Sequence, residues 1–496
     1  LVSTEEYRKR IQELEKEIKQ EPQMKKMRNS IAEAIGTTGE HQADIEGRQD
    51  TLETDFVKVQ QDASSASPSG AEVAVARGDY NTLNERLDSE HQEVTAQLDQ
   101  TIKVVNVMNY GAKGDGISDD SQAIREAVNE VKFNSGGELY FPRGVYLLDS
   151  LVEGEFAALY IDFDDITVRG DGSNATKIKL GNNLNGHVIE IVGTKGVKVL
   201  DLRVDGNRLN NISEGHGIRI AHSADLILRN LLIEETSEYG IGLQEGALFN
   251  VLLENITLNR LGLDGIDIKN KSNATENIYL KNIHVTEFDL RNEGGQAGID
   301  LRGKCFLSNV TVKNFGDGIK KSYGIRFREG ETSEPNGYGA HFSSLVNFEI
   351  DSGSKKEQTY GVTINARSVQ IANGVIRDVM QGLICEQQEN VITNIFVINV
   401  TDGFVLHNYE GKFPSVADRT LINNCFVKNS TGHAFIIQTD QNALNNNQIR
   451  ECGSGYVIHG NNNSIIGGVV SNYRNQPLDD FGNNNRVVGV IGASDK

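Results

Sequence analysis

The run Gly-Ile-x-Ile, with hydrophobic variants, returns again and again: GIRI at Gly217, GIGL at Gly240, GIDI at Gly265, GIDL at Gly298, GIRF at Gly324, GVTI at Gly361, GLIC at Gly382 and GFVL at Gly403. Successive intervals are 23, 25, 33, 26, 37, 21 and 21 residues. A unit of 21 to 26 residues cannot bury a core alone, so neighbouring units must stack, and the two longest intervals mark loops let out of the stack. A chain of 496 residues also exceeds the usual size of one compact core, which suits an elongated repeat.

A second strand recurs between these runs, as in VKVLDLRVDG from Val197, LILRNLLIEE from Leu226, VLLENITLNR from Val251, IYLKNIHVTE from Ile278 and FLSNVTVKNF from Phe306. Many carry Asn at the bend, where stacked amides or a left-handed backbone serve a turn. With 51 Gly, only 6 Pro and no Trp, the composition suits short strands joined by tight turns. The expected fold is all-β, a parallel β-helix over residues 151–496.

If each Gly-Ile-x-Ile run is one strand of a coil, its apolar pair points inward and x points outward. Coils stack about 4.8 Å apart, so positions form columns. The x column reads Arg219, Gly242, Asp267, Asp300, Arg326, Thr363; the next outward column reads Ala221, Gln244, Lys269, Arg302, Arg328, Asn365; the column before the glycine reads His216, Tyr239, Asp264, Ala297, Tyr323. One outer face should therefore carry Asp264, Asp267 and Asp300, ringed by Arg219, Lys269, Arg302, Arg326 and Arg328, with His216, Tyr239 and Tyr323 alongside.

Two carboxylates on neighbouring coils repel, so one should hold its proton more tightly, which is the condition for a general acid beside a general base. Glycoside hydrolysis uses such a pair, with the cations holding an anionic sugar and the tyrosines offering stacking faces. The same positions also suit cross-strand ion pairs on a solvated sheet, and Asp264 before Gly265 suits a turn. His216 in EGHGIRI suits either a turn or a substrate contact.

Residues 1–102 differ in kind. Tyr7, Ile11, Leu14 and Ile18 step at helical spacing, and Ile45, Leu52, Phe56, Val59 and then Tyr80, Leu83, Leu87, Val94, Leu98 continue the style around a break at SSASPSG. A thin apolar stripe needs partner helices, so an α-helical, coiled-coil-like oligomeric stalk is expected, with a mostly disordered solvated arm as the alternative. Residues 103–150 read as strand, turn, helix, turn, strand, with Ile124, Ala127, Val128 and Val131 on one helix face and Ser118, Asp119 and Asp120 at its N-terminus as cap and first-turn acids. Cys305, Cys385, Cys425 and Cys452 lack metal-ligand spacing and are expected to be buried thiols made in a reducing compartment. The net charge of −20 argues against nucleic acid, and no apolar run approaches a membrane span. Lacking an initial Met, the chain is expected to be a fragment or a processed product.

The stretch NYGAKGDGISDDSQAI…GGELYFPRGVYLL, beginning at Asn109, closely resembles the opening motif of the pectate lyase superfamily. The resemblance implies a right-handed parallel β-helix whose N-terminal end is closed by a strand and a capping helix. LDGIDI, from Leu263, resembles the polygalacturonase-type motif Asn-Thr-Asp-Gly-Ile-Asp, which implies a catalytic role for Asp264 and a partner in Asp267. That family places acids one coil later, where this chain has Ala297, and a Gly-His-Gly after them, whereas Gly215–Gly217 lies upstream; its Arg-x-Lys is not matched. Asp300, or Glu287, Asp289 or Glu293 in EFDLRNEGG, would then replace the missing acid.

Stalk, capping motif and β-helix together resemble phage tail spikes and neck appendages. This implies a homotrimeric virion protein that joins other tail or neck proteins through the stalk and binds and hydrolyses a host surface glycopolymer such as a teichoic acid. A non-enzymatic receptor-binding spike is the first alternative. The second is a polysaccharide lyase, with Arg326 as base and the Asp column holding Ca²⁺; the hydrolase reading calls for no cofactor or metal. A groove between subunits would bring in Glu234, Glu235 and Glu238.

Overall fold

A computed structural model describes residues 47–48, 50–55, 57–58, 77–80, 82, 84–90, 103–246, 248–269, 276–329, 339–354, 357–407 and 418–492. The chain divides into two compact units, 1–101 and 102–496. In the first, residues 84–90 are helical and begin at a reciprocal cap: the Glu85 N–H donates to Thr82 Oγ1 at 3.1 Å, and the Thr82 N–H donates to Glu85 Oε2 at 3.2 Å. The stripe expected at Tyr7, Ile11, Leu14, Ile18, Ile45, Phe56, Val59, Leu83, Val94 and Leu98 lies outside the described residues.

The second unit is a right-handed parallel β-helix. Its strands, from Val104–Asn106 to Arg486–Val488, belong to one continuous parallel ladder in which each strand pairs with its equivalent one coil away. Ile218 pairs with Ile241, Ile241 with Ile266, Ile266 with Ile299, Ile299 with Ile325 and Ile325 with Val362, so one column of the core is a stack of β-branched side chains, all fully buried. Phe404, Phe435 and Tyr456 continue it as stacked rings.

The repeated glycine is imposed by space. A Cβ on Gly265 would lie 2.3 Å from the Gly298 carbonyl oxygen and 2.6 Å from Val285 Cγ1 of the facing sheet; Gly240, Gly298 and Gly324 meet the same pair of obstacles. The second strand of each coil, such as Glu276–Thr286, bends at an Asn with left-handed backbone and becomes two segments, so a coil has three faces. Asn230, Asn255, Asn282 and Asn309 have φ of 57°, 55°, 55° and 56°, and the amide of each later one donates to the side-chain oxygen of the one before at 2.8 to 3.0 Å. Both functions expected of the bend Asn, left-handed turn and stacked amide, therefore coincide.

The N-terminal end is closed by helix α1, Ser121–Phe133, which buries Ile124, Ala127, Val128 and Val131. Its start differs from expectation. Ser118 and Asp119 end the strand Asp115–Asp119, and Asp120, at the cap position, makes no side-chain cap bond. Asp120 instead accepts from the Lys113 and Gly114 N–H groups, while Asp119 accepts from the Ser121 N–H and hydroxyl. The acids tie the GAKGDG turn to the helix; a period-3.6 reading could not see a strand between them. All four cysteines are buried and free. No helix among the described residues is long and apolar enough to cross a membrane.

Candidate functional site

The columns expected from the sequence are the observed register. Gly242 pairs with Asp267, Asp267 with Asp300, Asp300 with Arg326 and Arg326 with Thr363; alongside, Gln244 pairs with Lys269 and Lys269 with Arg302. Oxygens of Asp264, Asp267 and Asp300 lie within 4.8 Å of one another. Their exposures of 3, 0 and 1 % correct the expectation of a solvated face: these outward-pointing carboxylates are roofed by long cationic side chains. The reading of Asp267 with Lys269, and Asp300 with Arg302, as ion pairs in water fails for the same reason.

Each carboxylate has a different environment. Asp264 turns back across the coil boundary, where its Oδ1 accepts from the Ala297 N–H at 2.5 Å. The position at which an acid was looked for thus supplies a backbone donor. Burial, then the charges of Asp267 and Asp300, hold the Asp264 carboxyl well above the usual carboxylate range. Asp267 receives Lys269 Nζ at 2.8 Å and Gln244 Nε2 at 3.1 Å, with an Arg302 nitrogen at 3.8 Å, while its Oδ1 is buried without a hydrogen bond. Burial raises its pKa, and Lys269 opposes the rise. Asp300 accepts two bonds from Arg326, at 3.1 and 2.8 Å, one from Arg328 at 3.1 Å and one from Arg302 at 3.2 Å. Burial pushes its pKa up too, but the three guanidinium groups, Arg326 foremost, outweigh it, and the net shift is downward.

Even with all three acids ionised, three negative charges face four positive ones on Lys269, Arg302, Arg326 and Arg328. The site has a net positive charge inside a chain of −20. Lys269 also donates to Tyr239 Oη at 3.0 Å and lies 4.7 Å from the centre of its ring, and Arg326 lies 4.6 Å from the centre of the Tyr323 ring. The three acids are close enough to share a divalent cation, but both Asp300 oxygens already accept from guanidinium groups and four cationic side chains surround the cluster, which opposes one.

Two residues assigned to substrate have other principal partners. Arg219 is engaged by Glu190 and by Glu245, and His216 is buried in a ring column, 4.5 Å from His187 and 4.8 Å from Tyr239 between centroids. Burial holds His216 well below the ordinary histidine range and His187 at about 3, so both rings are neutral. The other acids considered go elsewhere. Glu287 pairs with Arg260, Glu293 with Arg291, and Asp289 accepts from Ser322; Glu287 and Asp289 line a separate cavity of about 350 Å³. Glu234 binds Lys177 and Arg203, Glu235 binds Arg260, and Glu238 lies 3.3 Å from His216 Nδ1. Sequence reasoning missed His187 and Glu190, which continue the columns one coil upstream: Ile218 pairs with Ile189. The signal was the alternation in HVIEI, although that strand lacks the Gly-Ile hallmark.

Residues 104–328, which contain the whole carboxylate site, match the family described as rhamnogalacturonase A/epimerase, pectate lyase-like. They form a pectate lyase-like domain. Curated relatives include a mannuronan C5-epimerase of Azotobacter vinelandii, AlgE6, 29% identical over an aligned length of 176 residues, with 32% of this chain and 20% of the relative covered. A putative rhamnogalacturonase D of Aspergillus niger is 26% identical over 246 residues, 43% of this chain and 51% of the relative. The chain thus spans from a fifth to half of these relatives' lengths. Among solved structures, the AlgE6 A-module is similar over 74% of this chain and 98% of its own, with 20% identity and a TM-score of 0.47.

Proposed function

We propose that this protein binds an anionic polysaccharide on the face built by Asp264, Asp267 and Asp300 and hydrolyses it there. The observation that carries the reading is three buried carboxyls, close together in unlike surroundings: Asp264 accepts from a backbone N–H, Asp267 from Lys269 and Gln244, and Asp300 from three guanidinium groups. Asp264 is then the general acid that protonates the leaving oxygen. Asp267 is the carboxylate partner, and Asp300 fixes the arginines that hold the substrate's acidic groups. An oxygen of Asp264 lies within 4.8 Å of one of Asp267, nearer the roughly 5–5.5 Å spacing of retaining glycosidases than the 6.5–9.5 Å of inverting ones, which favours direct attack by Asp267 and retention of configuration. The substrate's own acid draws Lys269 aside from Asp267 as it binds.

A lyase or epimerase reaction is the second reading, favoured by the Lys269–Tyr239 hydrogen bond next to the cations and by the names of the relatives. Proton abstraction needs a deprotonated base, yet Tyr239 is raised above the usual phenol range by burial, and Lys269 is raised as well because Asp267 and Tyr239 outweigh its burial. Both shifts run against a base, as burial also runs against an ionised Asp267; the close carboxyl pair is what favours hydrolysis. The helical spacing of residues 1–102 and the opening motif support a further part of the proposal: a homotrimeric phage appendage acting on a host cell-wall glycopolymer such as a teichoic acid.

The test is incubation with purified anionic wall polymers and polyuronates, following chain length, ultraviolet absorbance and the anomeric configuration of the first product. Shortened, saturated chains with retained configuration are expected. Unsaturated ends or epimerised units sink hydrolysis, and a bound but intact polymer marks a receptor-binding spike.

A further inference from the structure

The turns that lead into the site's strands are of unequal length. Nine residues, 287–295, join Glu276–Thr286 to Gln296–Arg302 and eight, 314–321, join Cys305–Lys313 to Ser322–Arg328, whereas further along the same edge three residues, 378–380, and then one, Thr401, suffice. Between the two long turns and residues 352–354 of the next, the coils leave the cavity of about 350 Å³ that Glu287 and Asp289 line. Phe288, Ser322 and Ser352 in its lining are buried, and Leu290, Asn292, Asn314 and Asp317 are exposed, so it opens to solvent. Phe288 is backed by Phe315, with ring centres 5.3 Å apart.

Hydrogen bonds within the turns hold the walls. Asp289 accepts from the Ser322 hydroxyl and the Glu293 N–H, both at 3.2 Å, and Asp317 accepts from the Ile319 and Lys320 N–H groups at 2.7 and 3.0 Å. The Leu290 N–H donates to the Leu261 carbonyl of the coil before at 3.1 Å. The cavity is thus pre-formed, and its volume is at the small end of those that hold small ligands.

Its sign is opposite to that of the groove. Glu287, Asp289 and Asp317 line it and no lysine or arginine does, which disfavours an anion. A chelated metal is disfavoured too, since among the described residues only Asp264, Asp267 and Asp300 bring three ligand atoms within 4.8 Å of one another. A free ammonium gains little, because cations already stand at the edge: Arg260 lies 3.3 Å from Glu287, and Lys320 Nζ donates to the Asn292 carbonyl at 2.5 Å. What the lining keeps is acceptor capacity, about four hydrogen bonds for each carboxylate. The O–H groups of a sugar supply the donors, while Phe288 and Leu290 offer its ring an apolar face.

We propose that this cavity is a second carbohydrate site, which takes one uncharged, hydroxyl-rich sugar unit. Ser322 in its wall is followed by Tyr323, whose ring carries Arg326 at 4.6 Å, so cavity and cationic groove meet on one strand. Where the anionic-glycan reading of the groove holds, on which this last step rests, the polymer bears a neutral unit beside an acidic one.

The probes are the methyl glycosides of glucose, galactose and mannose, with those of glucosamine and glucuronic acid as the same ring carrying either charge. Dissociation constants come from saturation-transfer NMR titrations of the full chain. Ser354→Phe, at an exposed position of the lining, fills the mouth and leaves the carboxylate groove alone; Leu290→Ala removes part of the apolar wall. At least one neutral glycoside should bind the parent, lose at least fivefold in Ser354→Phe and at least twofold in Leu290→Ala, while both variants leave glucuronoside binding unchanged. Failure of all three neutral glycosides to bind, or equal binding to the parent and both variants, overturns the site. A glucosaminide that binds fivefold more tightly than every neutral glycoside, and is lost in Ser354→Phe, overturns its class and marks an amine site. The groove reading fails separately, when anionic polymers are neither bound nor shortened.

Discussion

Asp264 and Asp300 lie in adjacent coils and are buried alike, yet their pKa values move in opposite directions, and the partners decide which. Asp264 has one backbone donor and two acidic neighbours; Asp300 has three guanidinium groups. Because the folded pKa of Asp264 is raised, its stabilising share is complete below the unfolded value near 3.9 and is lost as pH rises through the folded value. Asp264→Asn should therefore lower hydrolysis by about 10²–10⁴-fold, the usual share of a general acid, while thermal melts above neutrality show the variant at least as stable as the parent. A variant that melts well below the parent at every pH would assign Asp264 to the turn. For Asp300 the sign is reversed: the folded pKa is depressed, so its stabilisation is present above the unfolded value and lost as pH falls through the folded one. Asp300→Asn leaves Arg326 facing a neutral amide and should cost about 3–5 kcal/mol at pH 7 in denaturant titrations, with the difference from the parent shrinking in acid. The sequence revealed which residues share this face through their period-two spacing. It could not reveal burial, which depends on Lys269 and the arginines lying down over the acids.

At the level of a single coil, two kinds of residue carry the geometry, and both were visible in the sequence because close packing leaves no substitute for them. The strand glycine lets the next coil's carbonyl and the facing sheet approach together, and the bend Asn takes a left-handed backbone while joining an amide ladder. Gly265→Ala must move Val285 or open the Gly298 strand, and should destabilise by about 1–3 kcal/mol on equilibrium unfolding. Asn282→Ala puts an ordinary side chain at φ 55° and removes one rung on each side, so a loss of about 1–2 kcal/mol is expected from backbone strain alone. Asn282→Gly should recover most of it, and failure to do so would give the amide ladder the larger share. Helix α1 was legible from its apolar face, whereas the strand Asp115–Asp119 before it was not, since DGISD has two acids and a single large apolar residue, Ile117, which is itself exposed.

Charge sets the scale of the whole chain. The chain carries −20, yet the groove collects Lys269, Arg302, Arg326 and Arg328 around Asp264, Asp267 and Asp300. An approaching polyanion meets repulsion from the chain as a whole and attraction only close to the groove. The Debye length decides which it feels: about 30 Å at 0.01 M salt, where the global charge acts across the molecule, and about 8 Å at 0.15 M, where contacts inside the groove persist and the distant charge is screened. Association with an anionic glycan should therefore pass through a maximum as ionic strength rises, with a slow on-rate at the low end and weakened contacts at the high end. Stopped-flow or surface-binding rates between 0.01 and 1 M salt test this. A rate that climbs steadily as salt is removed would mean that the groove's cations dominate the field far from the surface, and Arg328→Gln, at the exposed edge of the cluster, should then slow association most at low salt. If the maximum is present, the same variant should chiefly speed dissociation at intermediate salt, because its guanidinium acts only over the last few ångströms of approach.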